Sequence, residues 1–332
     1  MNRISPTAVI TLEREPLTAL SENDLPPVEG FPGMSDAPAP FPELLGNTPP
    51  EPFRYCFNTA CVRGFGLPLW ELVDLAASAG YEAIEPWVDE IEAYQQSGGD
   101  LVGLRDHIRD LGLTVEGAIG FFEWAVDDDS RRSQGMQDAL HAMTLVSRIG
   151  GKRIAAPPWG AHEPGSPRLD LLQVAQRYDA LITLGEMKNV VPLVEVWGFS
   201  ANLSRFGEGL IVATECGNPA ACLLGDVYHF YKGGSPVDAL RYVAAGELMP
   251  IFHVNDYPYI PRETVTDTDR VFPGDGVAPL TTIFRTLHDG GFRGCLSLEV
   301  FNTGYEQALD PLTLARTGLD KLKACVKEAF EY

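Results

Sequence analysis

Four apolar runs in the second half of the chain end in a side chain that can bind a cation or move a proton. They are Glu195 in LVEVWG, Asp226 in LLGDVYHFY, His253 in PIFHVND and Glu299 in LSLEVFN. Carboxylate and imidazole donors without thiolate suit Mn2+, Co2+, Mg2+ or Zn2+ and select weakly among them. A carboxylate at the end of a buried run is costly unless paired or metal-bound. Singly, each could be an unrelated polar strand end, and His253 alone reads most simply as a core histidine satisfied by a neighbour. Four in succession, each one strand–helix unit after the last, point to a shared divalent-metal site.

The elements that must position them follow a regular rhythm. Apolar runs at 53–58, 81–87, 113–121, 152–158, 190–197, 221–227, 248–254 and 294–300 read as strands. Helices are expected after them at 67–80 (closed by Gly80), 100–112, 130–149, 169–184, 202–215, 236–245, 280–289 and 311–330. The strands are continuous rather than alternating, as in a parallel sheet covered on both faces. Eight such units predict a closed (β/α)8 TIM barrel, whose chemistry gathers at the C-terminal ends of the strands. No GxGxxG follows the first strand, which disfavours an open dinucleotide-binding sheet.

The rest of the composition narrows the partners. Lys and Arg number 25 against 46 Asp and Glu in 332 residues, a net charge of −21. A surface that acidic repels nucleic acid and anionic membranes, accepts neutral substrates and attracts divalent cations. Six cysteines without a CxxC read as reduced thiols. With no signal-like start and no run of roughly 20 apolar residues, a cytoplasmic protein is expected. Residues 1–52 stand apart: ten of the 26 prolines fall in the first 50 positions. They are expected to form an extended or disordered arm before a barrel at 53–332, and the arm could clasp a second copy or a partner subunit.

With the motifs VEVWG, GDVYH, FHVND, RVFPGDGV and LSLEVFN in place, residues 53–330 resemble the sugar phosphate isomerase/epimerase family. These are xylose-isomerase-like TIM barrels that include ketose 3-epimerases and inosose dehydratases. The resemblance implies that Glu195, Asp226, His253 and Glu299 bind one divalent ion, commonly Mn2+, and that His229 and Arg270 contact the sugar. The arm has no counterpart in the common pattern.

The chemistry these residues permit is proton transfer beside a carbonyl. A metal chelating two adjacent sugar oxygens acidifies the neighbouring C–H and stabilises the resulting enediolate. Glu195 and Glu299, three strands apart, can then take and return the proton. Isomerisation or epimerisation of a ketose or related polyol is the leading expectation. Dehydratase or lyase chemistry on an inosose or 3-oxo-glycoside, by β-elimination, is the alternative. His229 would hydrogen-bond a hydroxyl or assist a leaving group. Arg270, Trp197, Asp256, Glu85, Trp87, Trp124 and Asn58 are candidate substrate contacts, although rim aromatics are as often plain packing. The GDG of VFPGDGV has the glycines of an anion cradle, and three-residue Gly-x-Gly pieces are also common turns. Asp127–Asp129 read as helix-capping acids.

Two other classes fit less well. An endonuclease IV-like DNA-repair barrel needs histidines at the ends of early strands, whereas His107 and His141 fall inside expected helices. A non-enzymatic sugar-binding barrel would not need both Glu195 and Glu299 around a metal.

Overall fold

The computed structural model describes residues 51–243 and 248–330. The expected N-terminal arm therefore lies outside the described residues, apart from its last two. Eight strands form one parallel sheet: β1 (Arg54–Asn58), β2 (Ala83–Glu85), β3 (Thr114–Val115), β4 (Arg153–Ala156), β5 (Val191–Glu195), β6 (Cys222–Asp226), β7 (Ile251–Val254) and β8 (Cys295–Leu298). Their order is β3-β2-β1-β8-β7-β6-β5-β4, so β1 and β8 are neighbours, as a barrel requires. The sheet ends meet where the Ala155 amide donates to the Ala118 carbonyl at 2.9 Å, just beyond β3. This is the (β/α)8 TIM barrel that the eight strand–helix units predict.

Helices cover the outer face: α1 (Leu69–Ala79), α2 (Val88–Gln96), α3 (Leu101–Asp110), α4 (Asp129–Arg148), α5 (Leu171–Glu186), α6 (Phe206–Glu215), α7 (Val227–Gly233), α8 (Leu280–Asp289), α9 (Thr303–Ala308) and α10 (Pro311–Phe330). In α1 the buried residues Leu69, Leu72, Val73 and Ala76 recur at helical spacing and form the stripe that packs inward. Gly80 ends that helix at φ 96°, a left-handed conformation natural to glycine. Asp128 caps α4 by accepting from the Arg131 amide at 2.8 Å, as the acidic run suggests.

Several elements differ from expectation. The paired part of β3 is only two residues long, although the chain runs on beside β2, with the Ile119 amide donating to Pro86 O at 3.0 Å. The sequence reading has no α2; Glu90 caps its start by accepting from the Trp87 amide at 2.9 Å. It has no α7 either, which begins directly on Asp226. The helix expected at 236–245 is a 3-10 turn over Val237–Tyr242, and the last part of that range lies outside the described residues. Helix α6 starts at Phe206 rather than 202. Asn202 instead braces loops, donating to Ala161 O and Pro167 O, each at 2.9 Å.

The barrel interior places the site. Leu193, Leu224, Ile251 and Ser297 lie two residues before Glu195, Asp226, His253 and Glu299. Because strand side chains alternate faces, each pair points the same way. Leu193, Leu224 and Ile251 pack with Ile119 and Ala155 into an apolar layer, and the four polar groups form the next layer toward the mouth.

Candidate active site

Register brings the groups together. Asp226 and His253 are directly paired across β6 and β7, and His253 is paired with Ser297 across β7 and β8. Glu299 follows β8, its amide held by Val254 O at 3.1 Å. Asp226, His253 and Glu299 are buried, and one donor atom from each lies within 4.8 Å of the other two. Glu195 is buried on the same rim but stands outside that triplet.

His253 is oriented from below. Its Nε2 faces Glu85 Oε2 at 2.9 Å, and Glu85 also accepts from Ser297 Oγ at 2.7 Å and Asn58 Nδ2 at 3.1 Å. Its Nδ1 is buried without a hydrogen-bond partner and lies 3.3 Å from Glu299 Oε2 and 3.9 Å from Asp226 Oδ2. An unpartnered buried nitrogen beside two carboxylates fits a divalent cation, as the donor chemistry of the triplet does. Glu85 is thus the carboxylate behind the imidazole, a different role from the substrate contact expected of it.

Asp226 uses both oxygens. Oδ1 caps α7 through the His229 amide at 2.8 Å, while Oδ2 accepts from Asn255 Nδ2 at 2.9 Å and Arg270 Nη1 at 3.1 Å. Arg270, almost fully buried, reaches Glu299 with the same nitrogen at 2.8 Å and Asp267 with Nη2 at 2.6 Å. Its guanidinium lies over the rings of Tyr228 at 4.5 Å and Phe301 at 5.1 Å. It neutralises the acidic cluster from one side.

Burial sets the protonation states of these groups. It pushes the Glu195 carboxyl up to about 8, with Glu299 and Asp226 adding repulsion and His253 opposing. Burial also disfavours charged His253, yet the Glu299 and Glu85 carboxylates outweigh it and hold the imidazole well above its usual range. Burial brings His229 down to about 3, so it is neutral at pH 7. The Gly198 amide donates to its Nδ1 at 3.3 Å, which leaves the ring proton on Nε2. Arg270 Nη2, 3.4 Å from that Nε2, is then a second donor facing the same space rather than a hydrogen-bond partner.

Glu195, His229, Arg270 and Glu299 line a cavity of about 300 Å3 together with Trp87, Trp197 and other aromatics. Three expected contacts have other duties. Asn58 is spent as a brace: its Oδ1 accepts from the Ala60 amide at 2.9 Å and Trp87 Nε1 at 3.2 Å, and its Nδ2 donates to Glu85 and Glu299. Trp124 is fully buried, donating Nε1 to Pro157 O at 2.8 Å, and is a packing residue. Asp256 accepts from the amides of Tyr257, Gly274, Gly276 and Ala278 at 2.8 to 3.1 Å, which leaves no oxygen for a substrate. Asn255, Asp267, Ser297, Phe199 and Phe301 belong to the site without having been expected there. The period-2 signal was present for Asn255 and Ser297, each two residues from a candidate ligand along a strand and its immediate continuation.

Known proteins share this architecture. A model of the family described as xylose isomerase-like TIM barrel matches residues 73–325. An inosose isomerase of Bacillus licheniformis is 36% identical over 258 residues, covering 76% of this chain and 90% of that protein. A crystal structure of IOLI protein with a bound zinc atom superposes with a TM-score of 0.75 at 21% identity, covering 84% of this chain and all of that one. An L-ribulose 3-epimerase structure superposes with a TM-score of 0.67 at 18% identity, covering 83% and 95%. At those identities the two structures speak to the fold.

Proposed function

This chain belongs to the xylose isomerase-like TIM barrel family, and we propose that it is a divalent-metal-dependent isomerase or epimerase acting on a cyclic or open-chain polyol ketone. One observation carries the reading: His253 Nδ1, buried and without a hydrogen-bond partner, faces Glu299 Oε2 at 3.3 Å and Asp226 Oδ2 at 3.9 Å, while Nε2 is tied to Glu85. Asp226, His253 and Glu299 would hold the ion, with Glu195 completing the set. Mn2+ is the favoured occupant, and the zinc of the IOLI protein supports a divalent ion of this kind. The ion supplies polarisation of a substrate carbonyl, which acidifies the adjacent C–H.

The chain's own groups do the rest. Glu299, ionised beside Arg270, removes the proton. Glu195, three strands away on the same rim, delivers one drawn from solvent. His229 Nε2–H and Arg270 donate to oxygens as charge builds on them. Return to the neighbouring carbon gives isomerisation, and return to the same carbon from the other face gives epimerisation. The 36% identity to an inosose isomerase favours the first. Departure of a β-substituent instead would give the dehydratase or lyase outcome.

The test is metal content of the purified protein beside Glu299→Gln, with solvent deuterium uptake into ketoses, inososes and 3-oxo-glucosides. About one ion per chain, weakened in the variant, with deuterium entering one class, is the expected result. An unsaturated product in place of exchange would select elimination. Failure to take up Mn2+ at all would sink the reading.

A further inference from the structure

The two sides of the mouth differ in chemistry. The metal-binding triplet comes from β6, β7 and β8. Opposing it, loops after β2 to β5 and after β8 supply Trp87, Phe121, Trp159, Trp197, Phe199 and Phe301. These rings touch in sequence: Phe301 to Trp87 at 6.1 Å, Trp87 to Phe121 at 5.3 Å, Phe121 to Trp159 at 5.1 Å, Trp159 to Trp197 at 6.2 Å and Trp197 to Phe199 at 5.3 Å. Phe121, Trp159 and Phe199 remain 37 to 40% exposed, so the wall is not buried by its own packing. Trp159 continues it past the residues that line the cavity itself.

One ring is enough to stack the apolar face of a single sugar. A linked series of six, partly exposed and leading outward, offers a contiguous apolar surface larger than such a face requires. Charge adds a second restriction. Among the described residues that line the cavity, the one Lys or Arg is Arg270, already bonded to Asp226, Glu299 and Asp267. The glycine-rich loop offers no alternative anion cradle, because the amides of Gly274, Gly276 and Ala278 all donate to Asp256. A phosphate or carboxylate on the substrate would meet Glu195, Asp267 and Glu299 with no unpaired Lys or Arg among the described lining residues to receive it.

The geometry points to an uncharged substrate, a sugar or polyol bearing an aromatic substituent that lies along the Trp87-to-Phe199 wall. This rests on the proposed reaction and adds its substrate class.

The experiment is calorimetric binding of phenyl β-D-glucoside, methyl β-D-glucoside and glucose 6-phosphate to the full chain equilibrated with Mn2+. Wild type should bind the phenyl glycoside roughly tenfold more tightly than the methyl one, and the phosphate more weakly than either. Trp159→Ala should remove most of the phenyl advantage at unchanged metal content, and Trp159→Phe should retain much of it. Equal binding of the two glycosides, no binding of either, a phosphate preference, or an unaltered phenyl advantage in Trp159→Ala would each overturn the inference. Because no turnover is read, these outcomes are separable from the deuterium test. A protein that prefers the phenyl glycoside yet exchanges no deuterium would lose the proposed reaction and keep the aryl wall.

Discussion

Glu85 and His253, 168 positions apart in sequence, meet at 2.9 Å through Oε2 and Nε2, and this contact decides which imidazole nitrogen faces Asp226 and Glu299. A carboxylate behind a ligating histidine fixes its tautomer and raises its basicity, and losing such a partner typically costs 10 to 100-fold in metal affinity, in about that range. Glu85→Gln should keep the fold, since an amide can still accept from Nε2, and should weaken Mn2+ binding by roughly that factor in a chelator competition. Undiminished affinity would remove Glu85 from the metal's support.

Proton release should accompany metal uptake. In the metal-free protein His253 is held well above its usual range and Glu195 at about 8, so both carry protons at pH 7. Ligation needs neutral imidazole and ionised carboxylate, so affinity must rise with pH and level off once both groups have lost their protons. Calorimetry at pH 7 in buffers of different ionisation heat should show between about one and two protons released per Mn2+. Zero release would mean that His253 is already neutral.

Arg270 supplies the positive charge that Asp226 and Glu299 share. Removing one member of a buried ion cluster typically costs roughly 3–5 kcal/mol. Arg270→Met should therefore lower the Tm of the metal-free protein sharply. Because a ligand that binds only the folded state stabilises it, and the uncovered carboxylates welcome a cation, the Mn2+-induced rise in Tm should be larger in the variant than in wild type. An equal rise would show that Arg270 and the metal do not share those carboxylates.

Asp256 organises the loop after β7. Asp256→Ala strips four amides of their acceptor, and each that stays unsatisfied costs roughly 1–3 kcal/mol. A lower urea midpoint and faster proteolysis within 271–278 are expected, with Mn2+ content preserved. Loss of metal with the midpoint unchanged would return Asp256 to the site.

The residues of this site also mark how far the sequence can be read. That Asp226, His253 and Glu299 come together, with Glu195 buried on the same rim, was legible because each ends an apolar run, and eight such runs imply a barrel whose strand ends converge. Glu85 was visible as a strand-end acid, but its partner is set by pairing across β1 and β8, which a linear reading does not contain. Asp256 misled because the loop that consumes it returns from 18 to 22 residues downstream. Helix α7 was hidden because Asp226 serves as its cap as well as a site residue, and a capping signal is easily missed where a ligand is already assigned. Trp124 and Trp159 are the same residue type on loops after adjacent strands, yet one is fully buried and the other 37% exposed, a distinction that only packing makes.

The division of the mouth between β6–β8 and the loops after β2 to β5 bears on how such an enzyme can change over time. On the proposed reaction, the residues assigned to the chemistry and those proposed to set what it accepts are drawn, Glu195 on β5 apart, from largely separate stretches of chain. Drift in the earlier loops can exchange one substrate for another while the ligand-bearing strands stay untouched, and a laboratory library confined to positions 121, 159 and 199 would sample new specificities at little risk to the chemistry.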